Sequence, residues 1–284
     1  MSRIAIVGAG NLGSFLAAHL SRVRHDVYFC VRRPIAQIWV EGLPPVTVPF
    51  YLDDPPPADI VLLAVKTHDT PSAMSWLRHL CSAGQPTAVI QNGVHHAERV
   101  APFTAIPVLS YVYVESQKAA FHAFEPPRPH FTVPTGPTSQ AFVQLFAGTK
   151  IRVHEEPAFQ DAAWRKMLHN CVANPLTTLA GRGLEILADP FYRDWAEHII
   201  AEALPIANSD GANLTREDGN EILRVLASYP AGTRTSMLQD SENGKPLELE
   251  ALNLALIRLG ARYGLPTPAN EELVRRLKEV HFFN

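Results

Sequence analysis

The sequence predicts an α/β fold, with an N-terminal Rossmann-type doubly wound sheet followed by an all-α C-terminal domain. Short apolar runs alternate with helical patterns in the first half of the chain, as in a parallel sheet covered by helices on both faces. Beyond about Glu156 only helical patterns remain. Because 284 residues are more than one core usually absorbs, we expect two domains, residues 1–157 and 158–284.

Hydrophobic periodicity gives the individual elements. Strands are predicted over residues 3–7, 26–32, 46–52, 58–66 and 86–91, and helices over 11–22 and 70–81. The β-rich stretch from Ile106 to Val133 is expected to extend the sheet, partly antiparallel, before a helix at 139–147 and a last strand at 150–154. In the second domain the predicted helices cover 159–180, 186–209, 215–228 and 247–263. Thr215 and Asp218 resemble a capping box at the third of these.

Composition excludes several classes of function. Hydrophobic residues make up 46% and charged residues 19%, which is ordinary for a globular protein, and the net charge of −3 offers no basic surplus for nucleic acid or anionic membrane. The pattern shows no signal peptide and no apolar run of membrane length. Cys30, Cys81 and Cys171 have no paired spacing, and the adjacent His95 and His96 make a poor metal pair. We expect a cytoplasmic protein with reduced thiols and no metal.

A glycine turn follows the first predicted strand and opens the first helix. It is a G-x-G-x-x-G pattern formed by Gly8, Ala9, Gly10, Asn11, Leu12 and Gly13. In this context the first glycine permits the tight turn, the second lets the backbone approach a pyrophosphate, and the third allows close helix–strand packing. The helix N-terminus offers N–H groups to the phosphates. We predict that the turn binds a dinucleotide; a glycine-rich turn without a ligand is the alternative.

The end of the second strand indicates which dinucleotide binds. An NAD site usually places an acidic residue about 20 residues beyond the glycines, where it accepts from the ribose 2′-hydroxyl. This chain has Arg32 and Arg33 there instead, and Arg32 is the one predicted to bind the cofactor. A guanidinium can bind a 2′-phosphate through paired hydrogen bonds. The sequence therefore favours NADP(H), with two solvated arginines as the alternative.

A polar stripe marks the first helix of the second domain. Lys166, Asn170 and Asn174 are four residues apart, so they share one face of an otherwise apolar helix. Trp164, Met167, Leu168 and Cys171 around the stripe are expected to pack in the core. A surface lysine in a helix pair is the alternative for Lys166 taken by itself.

Several short motifs are spread over nearly the whole chain: the glycine turn, Val65-Lys66-Thr67, Gln91-Asn92-Gly93, the Lys166–Asn170–Asn174 helix, Ser236-Met237-Leu238-Gln239-Asp240 and Thr267-Pro268-Ala269-Asn270. Taken together, they resemble the ketopantoate reductase (2-dehydropantoate 2-reductase) family. The resemblance implies NADPH-dependent reduction of a small 2-oxo acid, ketopantoate to pantoate in pantothenate biosynthesis. A homodimer is compatible with the pattern.

The resemblance also implies a role for each residue in the second domain. Lys166 would be the general acid that stabilises charge on the substrate carbonyl oxygen and donates the proton. Asn170 and Asn174 would hydrogen-bond substrate oxygens, and Ser236 the substrate carboxylate. Glu248 would either bind the cofactor or orient Lys166, although Glu250 lies close enough in sequence to compete. In the first domain, Asn92 would lie near the nicotinamide and substrate, and Lys66 would contact the cofactor.

The chain departs from the family pattern near the implied substrate residues. The segment Gly181–Leu184 reads one residue short, and Thr233 replaces an asparagine. The sequence Leu247-Glu248-Leu249-Glu250 stands where members often carry Thr-Glu-Ile-Asp. Two alternatives therefore stay open: a related reductase of a different oxo acid, and a non-catalytic NADP(H)-binding sensor.

Overall fold

A computed structural model describes residues 1–117, 120–124 and 129–282. The chain divides into two compact units, the N-terminal unit Met1–Phe159 and the C-terminal unit Gln160–Asn284. The first contains a parallel sheet with helices and the second is helical. The predicted fold class is confirmed.

The main sheet of the N-terminal unit has six parallel strands. They are β1 Arg3–Val7, β2 Asp26–Cys30, β3 Phe50–Tyr51, β4 Ile60–Leu63, β5 Thr87–Val89 and β6 Ala105–Pro107. Their order is β3-β2-β1-β4-β5-β6, so β1 lies between β2 and β4, with Val7 opposite both Cys30 and Leu63. In such doubly wound sheets ligands bind beyond the carboxyl ends of the strands, where the order reverses beside β1.

Side-chain alternation along β1 explains the two layers of helices. The unit's helices are α1 Asn11–Leu20, α2 Thr70–Leu80, α3 His96–Arg99 and α4 Pro137–Leu145. Ile4 and Ile6 belong to the apolar cluster that contains Leu16 of α1. Ala5 and Val7 point the other way, into the cluster with Leu77 of α2.

The prediction that residues 106–133 extend the main sheet is wrong except for β6. The later strands are β7 Leu109–Ser110, β8 Tyr113–Gln117, β9 Ala120–Phe124, β10 Phe131–Pro134 and β11 Val153–Glu156. In a separate sheet β10 pairs parallel with β11 and antiparallel with β7, while β8 and β9 pair antiparallel with each other. Strand propensity does not specify a strand's partner, which long-range packing selects. Residues 118–119 and 125–128 of the predicted stretch lie outside the described residues.

Up to residue 282, where the described residues end, the C-terminal unit is built from six α-helices. They are α5 Phe159–Ala180, α6 Pro190–Ser209, α7 Arg216–Ser228, α8 Ser236–Glu242, α9 Asn253–Tyr263 and α10 Pro268–Phe282. The predicted bounds of α5 agree with the structure. Thr215 and Asp218 form the predicted capping box at the start of α7, each side chain bonding the other's backbone.

In the C-terminal unit, two of the predicted helices are broken, and two of the observed helices were not predicted. Asp189 is extended and caps α6, its carboxylate accepting from the Phe191 backbone N–H at 2.9 Å, so a 3₁₀ turn over Leu184–Ala188 precedes the helix. Leu252, at φ −115° and ψ −106°, separates α9 from a 3₁₀ turn over Glu248–Ala251. Helices α8 and α10 lie in segments that carry family motifs but for which the sequence predicts no helix. Across the described ranges, every helix is too short or too polar to cross a membrane.

Candidate active site

Close packing requires two of the three glycines in the turn. Gly8 has φ +102°, and a Cβ there would lie 2.6 Å from the Cγ1 atom of Val65. A Cβ on Gly13 would lie 2.0 Å from the carbonyl oxygen of Gly8. A side chain at Gly13 would therefore push α1 away from the strand it follows, and one at Gly8 would clash with Val65 after β4.

Gly10 has a different environment. It is the N-cap of α1, it makes no side-chain cap bond, and a Cβ there would meet no atom within 4 Å. No acidic residue lies in the first turn of α1. The open space beside unpaired helix N–H groups fits an approaching phosphate. Asn11 supports the turn by donating from its side-chain amide to the Val114 carbonyl at 2.9 Å.

Sheet topology brings the predicted cofactor residues of the N-terminal unit to one edge. The glycine turn follows β1, Arg32 follows β2, Lys66 follows β4 and Asn92 follows β5. These four strands are parallel and adjacent, so their carboxyl ends meet at the same side of the sheet. The edge can hold a dinucleotide along it, with backbone N–H groups at β1 and cations at β2 and β4.

Arg32 has a partner that the sequence did not reveal. Strand β2 ends at Cys30, short of the predicted bound, and the Arg32 side chain is 70% exposed. Its Nη2 atom lies 3.1 Å from Oδ1 of Asp69, which belongs to a 3₁₀ turn after β4. An acidic side chain is therefore present near the end of β2 after all, contributed by a different strand's loop. A phosphate at Arg32 would share the guanidinium with Asp69.

The turn that carries Asn92 is held by an arginine that the sequence analysis missed. Arg99 donates from its guanidinium to the carbonyl oxygens of Asn92 and Val94, each at 2.7 Å. Gly93 takes φ +92°, which glycine adopts readily. Gln91 donates to the Val65 carbonyl at 3.0 Å and so joins this turn to the one that carries Lys66. No sequence pattern pairs Arg99 with Asn92, because the contact depends on the fold of the short helix α3.

The polar stripe lies on α5 as predicted. Asn174 is 6% exposed, and Lys166 and Asn170 are half-buried. Trp164, Met167, Leu168 and Cys171 are buried, which confirms their core role. Burial also raises the pKa of the Cys171 thiol, so this cysteine is a poor nucleophile. Among the described residues, no three His, Cys, Asp or Glu side chains converge as metal ligands would.

A pair of buried hydroxyls ties α5 to the start of α8. The Oγ1 atoms of Thr177 and Thr235 are 2.7 Å apart. Thr177 donates to the Ala173 carbonyl at 2.7 Å, so it accepts from Thr235. Thr235 in turn caps α8, whose first residue is Ser236. The pair therefore links the helix of Asn174 to Ser236, the residue predicted to bind the substrate carboxylate. In the sequence, this link is indicated only by a threonine three residues after Asn174 and by a threonine at the N-cap of α8.

Burial distinguishes the two neighbouring glutamates. Glu248 is 6% exposed and begins the 3₁₀ turn before α9. Glu250 is exposed and pairs with Arg258, whose Nη1 atom lies 2.6 Å from its Oε2 atom. Of the two glutamates, Glu248 is therefore the one that suits a role in the interior. Whether it binds the cofactor or orients Lys166 stays a prediction.

Two of the three departures from the family pattern contact each other. A Cβ on Gly183 would lie 2.8 Å from both the Gly232 carbonyl carbon and the Thr233 carbonyl oxygen. The Leu184 N–H donates to that Thr233 oxygen at 2.9 Å. The Gly232 N–H donates to the Glu185 carboxylate at 2.8 Å, and this bond lowers the pKa of Glu185. The shortened segment and Thr233 form one packed surface near the start of α8.

Comparison with known proteins identifies the family. The family model described as "Ketopantoate reductase PanE/ApbA" matches residues 4–120, and "Ketopantoate reductase PanE/ApbA C terminal" matches residues 158–281. The chain belongs to the ketopantoate reductase family. The 2-dehydropantoate 2-reductase of Mycobacterium tuberculosis is 32% identical over 95% of both chains. That of Caulobacter vibrioides is 31% identical over 98% of both.

Solved structures show the same fold. The 2-dehydropantoate 2-reductase of Geobacter metallireducens superposes with a TM-score of 0.87 at 26% identity, covering 98% of this chain and 99% of that one. A dimeric ketopantoate reductase from Staphylococcus aureus gives 0.87 at 23% identity, over 98% of both chains. D-mandelate dehydrogenase, solved with NADH and anilino(oxo)acetate, gives 0.83 at 18%, over 98% of both.

Family membership shows which type of reaction the protein belongs to. The chain is a pyridine-nucleotide-dependent oxidoreductase of the 2-oxo acid type, and pantothenate biosynthesis is the family's pathway. A non-catalytic sensor is therefore disfavoured.

Proposed function

We propose that the protein reduces 2-dehydropantoate (ketopantoate) to pantoate with NADPH. The observation that carries the proposal is the stripe of Lys166, Asn170 and Asn174 on one face of α5, with Ser236 tied to the same helix through Thr177 and Thr235. A cation, two amides and a hydroxyl are the groups that a 2-oxo acid needs for its carbonyl and carboxylate oxygens. The named relatives at 31–32% identity support ketopantoate as the acid.

In the proposed reaction, four side chains of the C-terminal unit act on the substrate. When bound, NADPH supplies a hydride to the C2 carbonyl carbon of the substrate. The Lys166 ammonium stabilises the negative charge that develops on the carbonyl oxygen and donates the proton that completes the hydroxyl group. Asn170 and Asn174 hydrogen-bond substrate oxygens, and Ser236 donates to the carboxylate. Hydride and proton together account for the two-electron reduction of a ketone to an alcohol.

The residues of the N-terminal unit would hold the cofactor. Helix α1 and the open backbone at Gly10 suit the pyrophosphate, because N–H groups and the helix dipole both favour negative charge there. Arg32 would bind the 2′-phosphate, and its guanidinium would then be shared between the phosphate and Asp69. Lys66 and Asn92 follow neighbouring strands and would contact the rest of the cofactor, with Glu248 as a further candidate.

A second candidate is a reductase of a different 2-oxo acid. The contact between Gly183 and Thr233 concentrates the departures from the family pattern in one surface beside α8. The likeness to D-mandelate dehydrogenase, whose structure holds NADH, indicates that the fold alone fixes neither the acid nor the cofactor. The residues that depart from the family pattern are therefore the candidates for setting which 2-oxo acid the protein prefers.

We also propose a homodimer and a cytoplasmic location. The Staphylococcus aureus neighbour is described as dimeric, and light scattering of the purified protein would test the same state here. Cys30, Cys81 and Cys171 are free and buried, as expected of a protein kept in a reducing compartment.

Steady-state turnover of a panel of 2-oxo acids, with NADPH and with NADH, tests the proposed reaction. We expect the highest kcat/KM for ketopantoate with NADPH. A different acid turned over more efficiently than ketopantoate would support the second candidate. Absence of turnover with every 2-oxo acid would overturn the proposal.

The matched variants Arg32→Ala and Arg33→Ala test the cofactor choice. Both arginines are exposed, but only Arg32 is predicted to meet the 2′-phosphate. Loss of a paired guanidinium–phosphate contact should weaken NADPH binding about tenfold or more while leaving NADH binding unchanged. Arg33→Ala should bind both as the wild type does. An Arg32 variant that keeps the full NADPH preference would show that the 2′-phosphate is bound elsewhere.

A further inference from the structure

Helix α5 contains a proline between its polar residues and the helix end. Pro175 has no N–H, so the carbonyl oxygen of Cys171, four residues earlier, lacks its helical partner. Both residues are buried, and a buried carbonyl without a donor would be unfavourable. Asn170 and Asn174 immediately precede these two residues in sequence. The missing bond thus falls within the part of the helix that carries the predicted substrate ligands.

Asn253 supplies the missing donor. Its Nδ2 atom lies 3.0 Å from the Cys171 carbonyl oxygen, and the residue is fully buried. The same nitrogen donates its second hydrogen to Oδ1 of Asn270, at 2.8 Å. Both N–H bonds of the amide are therefore used inside the C-terminal unit.

The orientation of the Asn253 amide is fixed by the carboxylate of Glu202, which is connected to it through Asn270 by two successive hydrogen bonds. Glu202 of α6 accepts from Nδ2 of Asn270 at 2.7 Å and from the backbone N–H groups of Ala269 and Asn270 at 2.6 and 3.1 Å. An ionised carboxylate accepts only, so Asn270 must turn its nitrogen to Glu202 and its oxygen to Asn253. Asn253 must then present its nitrogen, which is the atom that Cys171 needs.

The position of Asn253 in the fold makes this bond a link between segments of the predicted site. Asn253 begins α9, directly after the break at Leu252 and the 3₁₀ turn that begins with Glu248. Its partner Cys171 lies between Asn170 and Asn174 on α5. The bond therefore holds the turn of Glu248 against the helix that carries the polar stripe.

We propose that Asn253 is a positioning residue: its side-chain amide replaces the helical hydrogen bond that Pro175 cannot make, and so fixes the direction of Asn170 and Asn174. This inference rests on the proposed function for its effect on substrate, and on geometry alone for its effect on α5. Small misplacement of binding groups lowers catalytic efficiency strongly even when the changed residue is remote from the substrate.

Three variants test the proposal by rescue: Asn253→Leu, Pro175→Ala and the double variant. Asn253→Leu removes the donor at similar volume, and we expect KM for ketopantoate to rise about tenfold with the affinity for NADPH unchanged. Pro175→Ala restores a backbone N–H to the Cys171 carbonyl, so the double variant should return to within about twofold of Pro175→Ala alone. An equal loss in both backgrounds, or a folded Asn253→Leu protein with wild-type KM, would overturn the proposal.

Hydrogen exchange of the α5 amides provides a readout that needs no substrate. Asn253→Leu should speed exchange around residues 171–178, and Pro175→Ala should reverse the change. If Asn253→Leu does not fold, Asn253→Ala takes its place in both measurements. Failure of the wild type to reduce any oxo acid, with the exchange rescue intact, would refute the proposed reaction and leave the positioning role standing. Unaltered exchange in a folded variant would refute the positioning role.

Discussion

The glycine turn of the N-terminal unit and the polar stripe of the C-terminal unit are positioned in different ways. The turn depends on missing side chains: Gly8 and Gly13 let backbone meet backbone, and Gly10 leaves a space open. The stripe depends on side chains from other helices, since Thr235 and Asn253 bond to α5 on either side of Asn174 in sequence. The first arrangement can be read from a local motif, whereas the second exists only when distant segments have packed.

The largest expected effect separates two glycines of the same turn. Gly13→Ala would place a Cβ 2.0 Å from the Gly8 oxygen, and we expect a loss of about 3 kcal/mol in the free energy of unfolding. Gly10→Ala meets nothing within 4 Å, so its stability should stay within about 0.5 kcal/mol of the wild type. Its NADPH affinity should nevertheless fall about tenfold, because the methyl group occupies the phosphate's approach.

Denaturant unfolding and fluorescence titration with NADPH measure the two quantities separately. Gly10→Ala protein that binds NADPH as tightly as the wild type would mean that the open space at α1 is not the pyrophosphate site. An equally stable Gly13→Ala protein would show that α1 can shift, and the contrast between the two glycines would fail.

The threonine pair predicts a smaller effect, on substrate rather than on cofactor. Thr177→Val keeps the side chain's shape but removes the hydroxyl that accepts from Thr235. KM for the oxo acid should therefore rise about fivefold, and the free energy of unfolding should fall by about 1 kcal/mol. Thr178→Val is the matched control, since Thr178 is also buried and donates to the Asn174 carbonyl at 2.7 Å but has no bond to Thr235. Steady-state kinetics in which both variants raise KM equally would assign the effect to α5 itself rather than to its link with α8.

The last expected effect is a pH dependence of stability that belongs to the N-terminal unit. Burial, with a contribution from Arg22, lowers the pKa of His19 on α1 from 6.5 to about 4. The unfolded chain therefore binds this proton first, and stability is lost as pH falls from 6.5 toward 4. In the C-terminal unit, the Thr215 backbone lowers the pKa of Asp218 below its ordinary 3.8, so the stability it provides is lost only at lower pH.

Unfolding of the wild type and His19→Gln at several pH values checks this assignment. The variant should lose less stability than the wild type between pH 6.5 and 4. Identical pH profiles would mean that His19 is protonated as easily in the folded protein as in the unfolded chain.

Local patterns predicted the fold class and the elements that carry the motifs. The strand Arg3–Val7 and the helix Phe159–Ala180 have the predicted bounds, and the strand is an uninterrupted apolar run after Arg3. The pairing of β7 with β10 was not predictable in this way, since it joins segments by tertiary packing. The ion pair of Arg32 with Asp69 was not predictable for the same reason, because the two residues follow different strands and meet only at the sheet edge.

In the proposed reaction, α5 carries the proton transfer and the glycine-turn unit carries the cofactor. Lys166→Ala tests it most directly, with kcat for ketopantoate and the dissociation constant for NADPH measured on the same preparation. Arg165→Ala is the control, since Arg165 is the neighbouring cation and pairs with Asp218 at 2.8 Å. We expect kcat to fall about 10²- to 10⁴-fold in Lys166→Ala alone, while NADPH affinity stays within about twofold of the wild type. Turnover unchanged in Lys166→Ala would contradict it.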